Sequence, residues 1–103
     1  MSKIHMDINR SSIQNFCKRW NIQRMTLFGS VLREDFRPDS DVDVLVVYAT
    51  DIDWMSYDYL AMREEIEDLF HRPVDVVEQG TIRNPIKRRC IEENQEVIYE
   101  SGR

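Results

Sequence analysis

Two periods of hydrophobic spacing organise this chain. Ile13, Phe16, Cys17 and Trp20 recur at helical spacing, so a helix capped by Ser11 or Ser12 is expected to run to about Trp20. Residues 1–9 before it read as a polar leader. Ile22 to Phe28 reads as a strand that Gly29 ends, and Ser30 to about Asp35 as a short helix. Arg37 to Ser40 is a turn cluster. Asp41 to Tyr48 is rich in β-branched residues and is the clearest strand. Met55 to Phe70 is amphipathic, with Tyr59, Met62, Ile66 and Leu69 at helical spacing. Pro73 introduces a third strand, Val74 to Val77, and Gly80 interrupts the chain. Pro85 suits the first turn of a helix reaching about Asn94. Val97 to Tyr99 is either a short last strand or a packed tail. Strands alternating with helices predict an α/β sheet with helices packed on it.

The 103 residues are expected to form one domain. Area scaling gives about 18,000 Å² unfolded and about 6,100 Å² folded for this size, so a real core is within reach. A separate acceptor-binding domain is not, so a large acceptor would have to be presented by another molecule. The net charge is −5, which argues against a general nucleic-acid binder, because phosphate contacts need a basic surface. It does not exclude an acidic pocket for a cation. Cys17 and Cys90 have neither zinc spacing nor a Cys-x-x-Cys arrangement. With no segment that reads as a signal peptide, they predict reduced thiols in a cytoplasmic protein. No apolar run approaches a membrane span.

The candidate chemistry lies in the strands. Alternation puts Asp41, Asp43, Leu45 and Val47 on one face of their strand, and Val42, Val44, Val46 and Tyr48 on the other. Two carboxylates then point the same way, with Cα atoms about 6.5–7 Å apart. Unneutralised, such a pair is costly at the start of an apolar strand. A divalent cation removes that cost, and Mg²⁺ suits it: it takes one or two carboxylates and fills the remaining positions with water and phosphate oxygens. An isolated Asp-x-Asp is more often a solvated strand end, so the surrounding constellation decides. Asp75 stands between valines in the third strand. Beside the first pair it would complete a two-cation site or act as a general base; alone it would be an edge-strand acid that discourages aggregation. Gly29-Ser30 follows a strand and opens a helix, where a backbone can approach a phosphate closely. Arg33, three residues on, shares the helix face of Ser30 and could reach the same phosphates. Gly-Ser at a helix start is also a common cap.

Ten residues, 31–40, separate Ser30 from Asp41. Leu-Phe-Gly-Ser-Val-Leu-Arg at 27–33, Pro-Asp-Ser-Asp-Val-Asp-Val-Leu-Val at 38–46 and Val-Asp-Val-Val at 74–77 together resemble a minimal nucleotidyltransferase (MNT) of the DNA polymerase β superfamily. The resemblance runs from about Ile22 to Tyr99. It implies a small mixed β-sheet flanked by helices. It implies Asp41, Asp43 and Asp75 as the catalytic acids and ligands of Mg²⁺, two ions in all, with Gly29, Ser30 and Arg33 holding the triphosphate of ATP. The implied reaction is attack of an acceptor hydroxyl on the α-phosphate with departure of pyrophosphate. Proteins of this type are often antitoxins paired with a HEPN-domain ribonuclease toxin, and characterised pairs transfer AMP to a toxin tyrosine. An alternative is an antitoxin that silences its partner by stoichiometric contact alone. Adenylylation of a small molecule or an RNA end is a third reading, which the acidic charge disfavours. Trp20, Trp54, Tyr57 and Tyr59 are expected to pack structurally. Arg83, Lys87, Arg88 and Arg89 are expected to form a solvated face, and His5 and His71 have no ligand spacing.

Overall fold

The structure, a computed structural model, describes residues 8–33, 40–50, 52–53, 55–78 and 85–101, without the side chains of Ser30, Lys87 and Cys90. Helix α1 (Arg10–Arg19) leads into strand β1 (Ile22–Phe28), a 3-10 turn (Gly29–Leu32) and strand β2 (Val42–Tyr48). Helix α2 (Tyr59–Phe70), strand β3 (Val74–Glu78), helix α3 (Pro85–Glu93) and strand β4 (Gln95–Glu100) follow. The sheet order is β3-β2-β1-β4. β1 pairs antiparallel with both β2 and β4, and β2 pairs parallel with β3. This is the small mixed sheet with flanking helices expected from the sequence, and Val97 to Tyr99 lie in a strand.

Local chemistry sets the helix ends. The carbonyl oxygen of the Asn9 side chain accepts from the Ser12 amide at 3.0 Å, so α1 is capped before Ser11 and Ser12, and both serines lie in its first turn. Asn21, at φ 57°, turns the chain out of α1, a conformation asparagine tolerates. Helix α2 starts at Tyr59 rather than at Met55. Asp53 takes the preceding segment into a turn, accepting from Met55 N at 3.1 Å and Ser56 Oγ at 3.0 Å. Asp58 then caps the helix through Ala61 N at 3.0 Å. Two aspartates offering local acceptors outcompete the helix there. The buried stripe shifts accordingly to Met62, Ile66 and Phe70, leaving Leu69 half-buried and Tyr59 exposed. His71 ends the helix in the left-handed region at φ 59°.

The core lies on one face of the sheet. Met25 and Leu27 of β1 stand opposite Val46 and Val44 of β2, and all four are fully buried. Ile13, Phe16 and Cys17 of α1, with Met62, Ile66 and Phe70 of α2, complete the cluster. The other face carries Phe28 and Leu45, buried outside that cluster, and Asp43. Strand alternation thus separates the chemistry from the core, as the sequence implied. Among the described residues, no helix is long and apolar enough to cross a membrane.

Cys17 is a buried free thiol, and burial pushes its pKa from 9.0 up to about 12. Between those values the unfolded chain has lost a proton that the folded chain keeps. Stability should therefore fall as pH rises through this window, by about 1.4 kcal/mol per unit where the states differ by a whole proton. Denaturant titrations at pH 8 and pH 10.5 check this. The wild type is expected to lose stability more steeply than Cys17→Ala, and parallel slopes would refute the assignment.

Candidate active site

The site begins where β1 ends. Phe28 pairs with Asp43 of β2, so Gly29 leaves the strand directly beside that carboxylate. Its φ of +77° is one that side-chain-bearing residues rarely adopt. A Cβ at this position would stand 2.7 Å from Asp43 Oδ2. Glycine is thus required twice, for the turn and for the close approach of backbone to carboxylate.

Asp43 in turn is paired in register with Asp75 across the parallel β2–β3 ladder. Parallel neighbours in register present side chains to the same face, with strands about 4.8 Å apart. Both aspartates are half-buried. Two carboxylates so placed concentrate negative charge at one point of the sheet. Asp41 is exposed and lies just before β2. Val42 N donates to the Pro73 carbonyl at 3.0 Å, which ties the start of β2 to the entry of β3. The three acids therefore gather at one end of the sheet. Among the described residues, however, no three His, Cys, Asp or Glu side chains converge into a ready-made metal cage.

The segment after Gly29 is a four-residue 3-10 turn, shorter than the expected helix to Asp35, and residues 34–39 lie outside the described residues. Val31 and Leu32 are buried and anchor the turn in the core. So short a turn carries little macrodipole, and its contribution to anion binding reduces to local amide donors. The backbone of Ser30 lies in this turn, while its hydroxyl is outside the described side chains. Arg33 is exposed and lines a cavity of about 270 Å³ together with Gly29, Glu93 and Asn94. The structure thus brings Arg33 beside the glycine turn.

Glu93 and Asn94 were not legible as site residues in the sequence. They reach Gly29 because β4 adds to the sheet next to β1, with Gln95 opposite Phe28. Recognising Val97 to Tyr99 as a strand beside β1 would have placed them. A larger cavity, about 670 Å³, lies at the opposite end of the sheet among Lys18, Asn21, Gln23 and Thr50. Among the described residues it is lined by no carboxylate side chain, whereas the smaller cavity lies beside the acids.

Comparison with known proteins bears on this arrangement. A family model described as a nucleotidyltransferase domain matches residues 10–101. The chain is 29% identical over 93 residues to a Methanocaldococcus jannaschii protein named "Putative protein adenylyltransferase MJ0128", covering 90% of this chain and 91% of the relative. A crystal structure of a toxin–antitoxin with AMP-PNP aligns at a TM-score of 0.67 and 16% identity, covering 92% of this chain and 76% of that one. A complex of a tri-AMPylated Shewanella oneidensis HEPN toxin with its MNT antitoxin aligns at 0.58 and 15% identity, covering 89% and 70%. At these identities the two structures establish a shared fold.

Proposed function

The chain belongs to the nucleotidyltransferase domain family, and from that premise we propose that it moves the adenylyl group of ATP onto a hydroxyl of a partner protein, a tyrosine of a HEPN-type toxin that it thereby neutralises. The observation that carries the reading is the Gly29–Asp43–Asp75 constellation. It brings a glycine, with no side chain, against one of two carboxylates in register. The M. jannaschii relative's name and the AMPylated toxin in the Shewanella complex support the adenylyl group and the protein acceptor.

In this reading the chain's residues divide the work. The backbone of the turn at Gly29 and Ser30 receives the phosphates, and the missing side chain at residue 29 lets the Asp43 carboxylate stand against that turn. Arg33, beside Gly29, offers a guanidinium to the terminal phosphates. Asp41 and Asp43 are oxygen donors of the kind Mg²⁺ takes, one or two per ion, with phosphate oxygens completing the shell. That shared coordination fits an arrangement in which the described residues preform no cage. Mg²⁺ held there would supply positive charge to the phosphates. Asp75, in register with Asp43, is placed to join that donor set or to accept the acceptor's proton. As the hydroxyl oxygen bonds to the α-phosphorus, the bond to the bridging oxygen breaks and pyrophosphate leaves. Holding these groups in line contributes most of the rate.

The test is incubation of the purified chain with Mg²⁺, ATP labelled at the α-phosphorus and a lysate of its source cells containing the partner. A labelled protein band is expected, with AMP on a tyrosine by mass spectrometry. A labelled small molecule or RNA would move the acceptor to another class. ATP binding without any transfer to a partner shown to be present would overturn the catalytic reading.

A further inference from the structure

The end of the sheet remote from the acids carries a second set of features. β1 spans seven residues, so its start lies about 20 Å from Gly29. There Trp20 and Tyr57 pack edge to face with ring centroids 5.7 Å apart, and Tyr57 Oη donates to the Trp20 carbonyl at 2.9 Å. With Asp53 and Asp58 they line a cleft of about 410 Å³. Arg19 lines it too, but Glu65 pairs with Arg19 and also accepts from Trp20 Nε1 at 3.2 Å. The guanidinium charge is thus answered by Glu65, and the two aspartates give the cleft its sign. Asp53 holds its own turn and Asp58 caps α2. A carboxylate has about four acceptor sites, so both retain capacity for a charged donor.

Next to the cleft lies an apolar patch. Met55 is 96% exposed, Leu60 66% and Tyr59 41%. Single exposed apolar residues are ordinary, but three within residues 55–60, interleaved in sequence with the cleft residues Asp53, Ser56, Tyr57 and Asp58, mark an interaction surface. We propose that this end of the molecule docks a basic amphipathic helix of a partner protein. Its apolar residues cover Met55, Tyr59 and Leu60, and one Lys or Arg enters the cleft lined by Asp53 and Asp58. Carboxylates give the cation charge-assisted hydrogen bonds, and the Trp20 and Tyr57 rings add cation–π attraction. Apolar anchors at helical spacing on a charged helix are a recurrent docking mode. Charge also disfavours a second copy of this chain as the occupant. Two copies would bring acidic rim to acidic rim, at a net charge of −5 each. The inference stands apart from the transfer reading, because no residue of the acid end takes part.

The experiment uses the full chain and a labelled 18-residue helix of leucine and lysine, with a second peptide carrying glutamate for every lysine. Fluorescence anisotropy gives the affinities, and circular dichroism verifies that each variant is folded. Asp53→Asn with Asp58→Asn removes charge while asparagine keeps the turn and cap acceptors. The lysine peptide is expected to bind the wild type at least tenfold more tightly than the glutamate peptide. Its Kd should rise at least tenfold in the double variant and in Leu60→Asp. Failure of the lysine peptide to bind, or affinities unchanged by these substitutions, overturns the proposal. So does a dimer in sedimentation velocity that Leu60→Asp dissolves, which would make the patch a self-association surface.

Discussion

Asp43→Asn is expected to reduce adenylyl transfer by about a thousandfold while leaving the chain folded. The two halves of that result have separate causes. Asparagine keeps the size of aspartate, so the packing against Gly29 and the β2 ladder persists. A thermal midpoint close to that of the wild type follows. Transfer, by contrast, loses the charged oxygen that stands against the glycine turn. Removing one preorganised electrostatic group typically costs about 10²–10³ in rate, and a lost charge falls at the upper end. A variant retaining more than a tenth of wild-type transfer would place the chemistry elsewhere. The Asp41→Asn, Asp43→Asn double variant separates catalysis from contact. Growth rescue of cells carrying the partner should disappear with the transfer. Rescue that persists would assign neutralisation to stoichiometric binding.

How far the sequence reached depended on the range of the interaction. β1 was read to its boundaries because its apolar run ends at a glycine. β2 was read one residue long, because Asp41 lies just outside the ladder. Burial of Val42, Val44 and Val46 on one face followed from alternation alone. The start of α2 was misread by four residues. Hydrophobic spacing carries no information about Asp53 and Asp58, whose side chains capture the backbone locally. The cap of α1 was assigned to serines when Asn9 supplies it. At the site, Gly29, Asp43 and Asp75 follow from the resemblance that the combined motif carries, since each alone has an ordinary structural reading. Their mutual placement was not legible, since it depends on β2 pairing with β1 and β3 in one register. Glu93 and Asn94 depend on the longest step, the return of β4 to β1.

That register makes Gly29 as informative as the acids, and Gly29→Ala is expected to lower transfer by about a hundredfold at a stability cost of about 1–2 kcal/mol. Alanine at φ +77° carries a backbone penalty of this size. Its Cβ would also collide with Asp43 Oδ2, 2.7 Å away. The colliding atom is the tip of a side chain, which yields by rotating, so the collision costs little stability. It costs position instead. The carboxylate moves by roughly an ångström, and a misplacement of that order is worth about 10²-fold in rate. A second variant separates the two effects. In an Asp43→Ala background the collision is absent, and Gly29→Ala should cost only the backbone penalty. Transfer untouched in the single variant would mean that Gly29 serves the turn alone. Nearly equal losses of stability in the two backgrounds, with transfer impaired in Gly29→Ala, would tie the glycine to the position of the carboxylate it faces.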